Sequence, residues 1–153
     1  MSLTVFLDAG PLGLITNPKK TPDTIAADKW VFDMEAVGHR FVVHAIADYE
    51  VRRELVRAGK TQGILRLNAF NAADPNRFLS VTDAALLLGA DLWARARNAG
   101  TTTADPKELD GDVLIAAQAL DTKMSLSNFI IATVNVGHLA LFVPADLWTN
   151  IKP

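Results

Sequence analysis

Five short apolar runs, separated by longer stretches with helical spacing, constrain this 153-residue chain more than any other feature. They occupy residues 3–7, 41–46, 78–81, 129–134 and 141–143. They scarcely alternate between polar and apolar side chains, as strands covered on both faces should. Residues 24–37 place Ala26, Trp30, Met34 and Val37 at helical spacing. A mostly charged helix is predicted over 47–58, and another over 62–73 with Leu65, Ala69 and Phe70. Residues 83–98 predict a strong helix, with Thr82 as its N-cap and Gly100 just past its end. Residues 113–121 are apolar on nearly every side and predict a helix deep in the interior. Strands alternating with helices predict an α/β fold with a mainly parallel sheet of about five strands. Breaks fall at 16–23, 72–77 and 98–112, the last long and polar. None is long enough to act as a linker between domains, so residues 1–153 read as a single domain.

Charge and composition narrow the function. There are no cysteines, which excludes disulfides and thiolate metal sites. Net charge is −2, so the chain has no generic attraction to nucleic acid, and any such binding needs a local patch. The best excess of positive charge is "YEVRRELVRAGK", with Arg52, Arg53, Arg57 and Lys60, followed by Arg66. No stretch approaches the ~18 to 20 apolar residues that cross a bilayer. The N-terminal segment lacks a basic n-region, and Asp8 interrupts its apolar run. The expectation is a cytoplasmic protein without a membrane anchor.

In a parallel α/β sheet, ligands bind beyond the carboxyl ends of the strands. Asp8 directly follows the first apolar run, in "VFLDAGPLG". Glu50 lies at the opening of the helix after the second run, and Asp112 opens the apolar helix "DVLIAAQAL". Asn135 follows the fourth run. Singly, each acid reads as a solvated surface group or a helix cap. Their recurrence at equivalent points of the topology predicts one shared crevice. Clustered carboxylates repel unless a cation sits among them. Hard oxygen ligands suit Mg²⁺ or Mn²⁺.

The order and context of these segments resemble the PIN domain family, and in particular its VapC-like toxin ribonucleases. "FLDAGPLG" resembles the opening strand-plus-Asp motif, and "ADYEVRREL" the Glu-bearing helix. "DGDVLIAAQAL" resembles the Asp-bearing helix, and "TVNVGHL" the closing Thr-x-Asn/Asp segment. The resemblance covers roughly residues 3–143. It implies a three-layer α/β/α PIN-like fold and a metal-dependent endoribonuclease, the toxin of a toxin–antitoxin pair. It assigns Asp8, Glu50 and Asp112 to metal binding and catalysis, and gives Asn135 a place in the catalytic set. Thr133 matches the hydroxyl residue two positions earlier. The chain departs from the family pattern at Asn135, often Asp, and at Leu139, often Phe.

Asp110 reads as a helix cap or, if the backbone bends at Gly111, an outer acid of the metal site. Arg52, Arg53 and Arg57 are expected to face RNA phosphates. His39, His44 and His138 show no zinc-ligand spacing, and mid-strand His44 reads as hydrogen-bonded structure. The helix around Trp93 and residues 148–151 carry surplus apolar surface, which predicts a two-fold homodimer. A catalytically weak PIN-fold module that binds RNA or protein is the alternative reading. A phosphoryl-accepting regulatory domain ranks low, because no acceptor Asp and late-strand Lys stand where it needs them.

Overall fold

The computed structural model describes residues 2–100 and 105–153, with only the backbone described at 106–108. Its centre is β1 (Thr4–Leu7), four residues buried without exception. On one side of β1 lie β2 (Arg40–His44) and then β3 (Phe78–Leu79). On the other lie β4 (Phe129–Thr133) and then β5 (Ala145–Leu147). Every pairing is parallel. The register places Leu7 beside Val43 on one flank and Ala132 on the other. The chain builds outward from β1 to β3, then returns across β1 to start β4. That reversal opens a crevice at the carboxyl ends of β1 and β4, where parallel sheets bind ligands.

Helices cover both faces, as an all-parallel sheet requires. They are α1 (Ala9–Thr16), α2 (Pro22–Ala36), α3 (Ala45–Arg57), α4 (Thr61–Ala72), α5 (Asp83–Asn98) and α6 (Pro106–Asp121). The first four pack among themselves, and α5 packs along α6. Thr82 caps α5 as expected, accepting a bond from the Ala85 amide at 3.0 Å. The α6 segment from Val113 to Ala119 is buried except at Leu114, and it supplies the core that its composition predicts. No helix among the described residues is long and apolar enough to cross a membrane.

Four expectations need correction. The first concerns α1, a helix over residues 9–16 where the apolar and helical patterning predicts no element. Pro11 sits in its first turn, where a missing N–H costs nothing. Arg66 of α4 closes its other end, donating to the Ile15 and Thr16 carbonyls at 2.9 and 3.2 Å. Second, the fifth strand is not 141–143. Leu139–Leu141 is a 3-10 turn, Leu139 and Val143 are buried as a plug, and the strand begins only after Pro144. Third, the polar break at 98–112 is much shorter. Residues 101–104 of it lie outside the described residues, and α6 already starts at Pro106. Asp112 therefore sits within α6 and does not open it. Fourth, residues 148–151 carry less exposed apolar surface than expected, with Ile151 buried and Trp148 partly so. Trp148 tilts against Trp30, whose indole N–H donates to the Ile151 carbonyl at 2.8 Å. What remains exposed near Trp93 is Leu86 and Leu87 of α5.

His44 also differs from expectation. Its ring is fully buried and stacks on Phe6 at 4.6 Å, yet neither ring nitrogen has a hydrogen-bond partner. Burial pushes its pKa down to about 3. Below pH 6.5 the unfolded chain takes up a proton that the folded chain refuses. Stability is therefore lost progressively as pH falls from 6.5 towards 3. The loss attributable to this residue is on the order of 2 to 3 kcal/mol at pH 4.5. His44→Phe is expected to remove that share of the acid sensitivity. Thermal unfolding of both proteins at pH 7 and pH 4.5 checks this, and an unchanged pH dependence contradicts it.

Candidate active site

Asp8 ends β1 and caps α1. Its backbone is extended, and its amide donates to the Ala132 carbonyl of β4 at 3.0 Å. Its Oδ1 accepts the Ala9 amide at 2.8 Å, and its Oδ2 accepts the Thr133 hydroxyl at 2.7 Å. A carboxylate oxygen has two acceptor positions, so each keeps one for a further partner. Thr133 is the last residue of β4 and is fully buried. Its oxygen also accepts the Asn135 amide at 3.1 Å, while the Asn135 carbonyl lies 3.0 Å away as an alternative acceptor. The ends of the two central strands are thus tied together through one carboxylate and one hydroxyl.

Glu50 reaches the crevice from α3 and rests against Gly111 of α6. A Cβ at Gly111 would stand 2.9 Å from Glu50 Oε1. Asp112 and Asn135 gather round Gly137, whose φ is +47°. A Cβ there would lie 3.6 Å from Asp112 Oδ2 and 3.7 Å from Asn135 Oδ1. Asn135 Oδ1 accepts the Gly137 amide at 3.1 Å, which fixes the loop after β4. Together Asp8, Glu50, Asp112, Thr133 and Asn135 line a cavity of about 700 Å³. The Glu50 carboxyl is pushed above the usual carboxylate range, first by burial and then by the charge of Asp8. Arg53 opposes the rise and Asp112 adds to it.

The remaining predicted residues divide. Asp110 also lines the cavity, exposed, but α6 is continuous through Gly111, so it is not a cap. Arg52 turns away: its guanidinium holds both oxygens of buried Asp48 at 2.8 and 3.0 Å and reaches Asn68 at 2.8 Å. Arg57 pairs with Glu54 in solvent. Of the three arginines only Arg53 stands on the cavity wall. Sequence reasoning missed Tyr49 and His138, which line the same cavity. The signal for Tyr49 is helical spacing, since it stands beside Glu50 and one turn before Arg53. Gly111 reads in sequence as a bend, whereas its missing side chain is what admits Glu50.

The donor chemistry fits a hard divalent cation, because the cavity presents anionic oxygens whose charges oppose one another. Among the described residues no group of three or more acidic or histidine side chains is arranged to hold an ion unaided.

No protein-family model and no curated protein matches the chain. Solved structures do. A chain of FitAcB from Neisseria gonorrhoeae is 18% identical, with a TM-score of 0.66, covering 96% of this chain and 99% of that one. A chain of VapBC2 from Rickettsia felis, bound to a DNA fragment from their promoter, is 13% identical, with a TM-score of 0.66 and coverage of 95% and 99%. One of VapBC-1 from nontypeable Haemophilus influenzae is 15% identical, with a TM-score of 0.57 and coverage of 96% and 99%. At these identities the likeness establishes the fold: a three-layer PIN-like arrangement with a five-stranded, all-parallel sheet.

Proposed function

We propose that the chain is a divalent-metal-dependent endoribonuclease, working as the toxin beside a cognate antitoxin. One observation carries this reading. Three acids from distant regions of the chain meet in one cavity at the sheet's reversal point, and the first of them is held at both oxygens. Asp8, Glu50 and Asp112 would hold Mg²⁺ or Mn²⁺, which when bound supplies Lewis acidity and a water of lowered pKa. Thr133 fixes the direction in which Asp8 presents its oxygens. Asn135 holds the loop that brings Gly137 beside Asp112. Arg53 offers a fixed positive charge to the phosphodiester chain, positioning it without reading its sequence. The likeness to VapBC and FitAB assemblies supports the antitoxin as partner.

A second reading has its own observation. The acids do not by themselves form an ion cage, and Asn135 Oδ1 is engaged by Gly137. Both favour a PIN-fold module that binds RNA or protein with little hydrolysis. Cleavage of a single-stranded RNA by the purified chain separates the two. The expected result is Mn²⁺-supported cleavage that EDTA abolishes. RNA binding without cleavage at millimolar Mn²⁺ selects the binding module instead.

A further inference from the structure

Tyr49 is a large aromatic residue that the core does not use. It is 59% exposed, yet it lines the acid cavity beside Glu50. Four residues on, the Arg53 guanidinium sits over its ring, 5.3 Å from the centroid. The neighbouring arginine, Arg52, is locked to Asp48 and Asn68, so Arg53 is the member of this pair of cations left on the cavity wall. The result is a flat aromatic face with a cation held over it, one helical turn long, at the edge of a cavity walled by carboxylates.

We propose that Tyr49 and Arg53 form a stacking platform for one unpaired nucleobase of the RNA strand that enters the cavity. Every base has a π-face, and an aromatic side chain accepts it whatever the sequence. Arg53 extends the stack and presents N–H groups to the adjoining phosphate. A base within a duplex has both faces covered by its neighbours and cannot use such a platform. The pair therefore selects single-stranded segments and sets which phosphate lies nearest Asp8 and Glu50. Tyr49 is a positioning residue and takes no part in proton transfer. The inference rests on the ribonuclease reading for the identity of the ligand.

The test uses the full chain carrying Asp8→Asn, in Ca²⁺ buffer, so that binding is read without cleavage. The probe is a single-stranded RNA octamer containing 2-aminopurine, with the same sequence annealed to its complement as comparison. The expected result is quenching of 2-aminopurine on binding and clear preference for the single strand. Adding Tyr49→Ala is expected to abolish the quench and weaken binding about tenfold. Adding Tyr49→Phe should restore both. Arg53→Gln should lower the slope of log affinity against log salt by about 0.7, the share of one phosphate contact on a single strand. Equal binding and quenching with Tyr49→Ala, equal affinity for the duplex, or no binding by the parent overturns the inference. Failure of the ribonuclease reading looks different: Tyr49-dependent binding persists, while the unmodified chain leaves RNA intact in Mn²⁺.

Discussion

Gly111→Ala is expected to leave the protein folded and slightly more stable, yet to slow metal-dependent RNA cleavage by one to two orders of magnitude. The two effects have separate causes. Glycine inside a helix is less favourable than alanine by about 0.8–1 kcal/mol, so α6 gains from the change. The new Cβ would stand 2.9 Å from Glu50 Oε1. That atom is the far end of a flexible side chain, so the carboxylate moves and the backbone does not. Displacing a group at the reacting centre by about 1 Å can lower the rate about a hundredfold. A thermal unfolding curve and a single-turnover cleavage time course, run on the same preparation, check both signs. An alanine variant that cleaves at the full rate shows that the contact between Glu50 and α6 is irrelevant to function.

Asp8→Asn is expected to abolish cleavage, by at least about a thousandfold, while changing stability by no more than about 1 kcal/mol. Asparagine keeps one oxygen to accept the Ala9 amide and so retains the cap of α1. Its amide nitrogen then faces Thr133, whose oxygen can accept from it. The Thr133 proton turns to the Asn135 carbonyl, already 3.0 Å away. The hydrogen bonds are re-formed and only the charge is lost. Cleavage time courses with Mn²⁺, together with denaturant unfolding, separate this outcome from simple misfolding. Full activity in a folded Asp8→Asn protein removes Asp8 from the site.

Much of this site is legible in the sequence because a parallel sheet turns chain order into geometry. A carboxylate that ends a buried strand points to the same edge as one that ends its neighbour. Asp8, Thr133 and Asn135 can be placed from that rule alone. The helical residues are harder. Sequence assigns Glu50 and Asp112 to the right elements but too near their starts, because helix ends are weakly marked. Pro11 hides α1, since proline reads as a breaker and its tolerance in a first turn is visible only once the N-cap is known. Pro106 and its polar flank hide the first turns of α6 in the same way. The run 141–143 has strand composition but plugs the core through Leu139 and Val143, so burial and not backbone pairing explains its apolar character. Sequence also overstates the basic face of α3: Asp48, a buried acid one turn before Arg52, captures that side chain. No periodicity distinguishes a captured arginine from a free one.

We propose that Asp8, Glu50 and Asp112 bind one divalent cation together. Calorimetric Mn²⁺ titration of the wild-type chain and of Asp8→Asn, Glu50→Gln and Asp112→Asn tests it most directly, with Asp91→Asn on α5 as control. The expected result is a saturable wild-type site that each of the three substitutions weakens at least tenfold, while the control matches wild type. Equal Mn²⁺ affinity across all five proteins, or no saturable binding by the wild type, contradicts the claim.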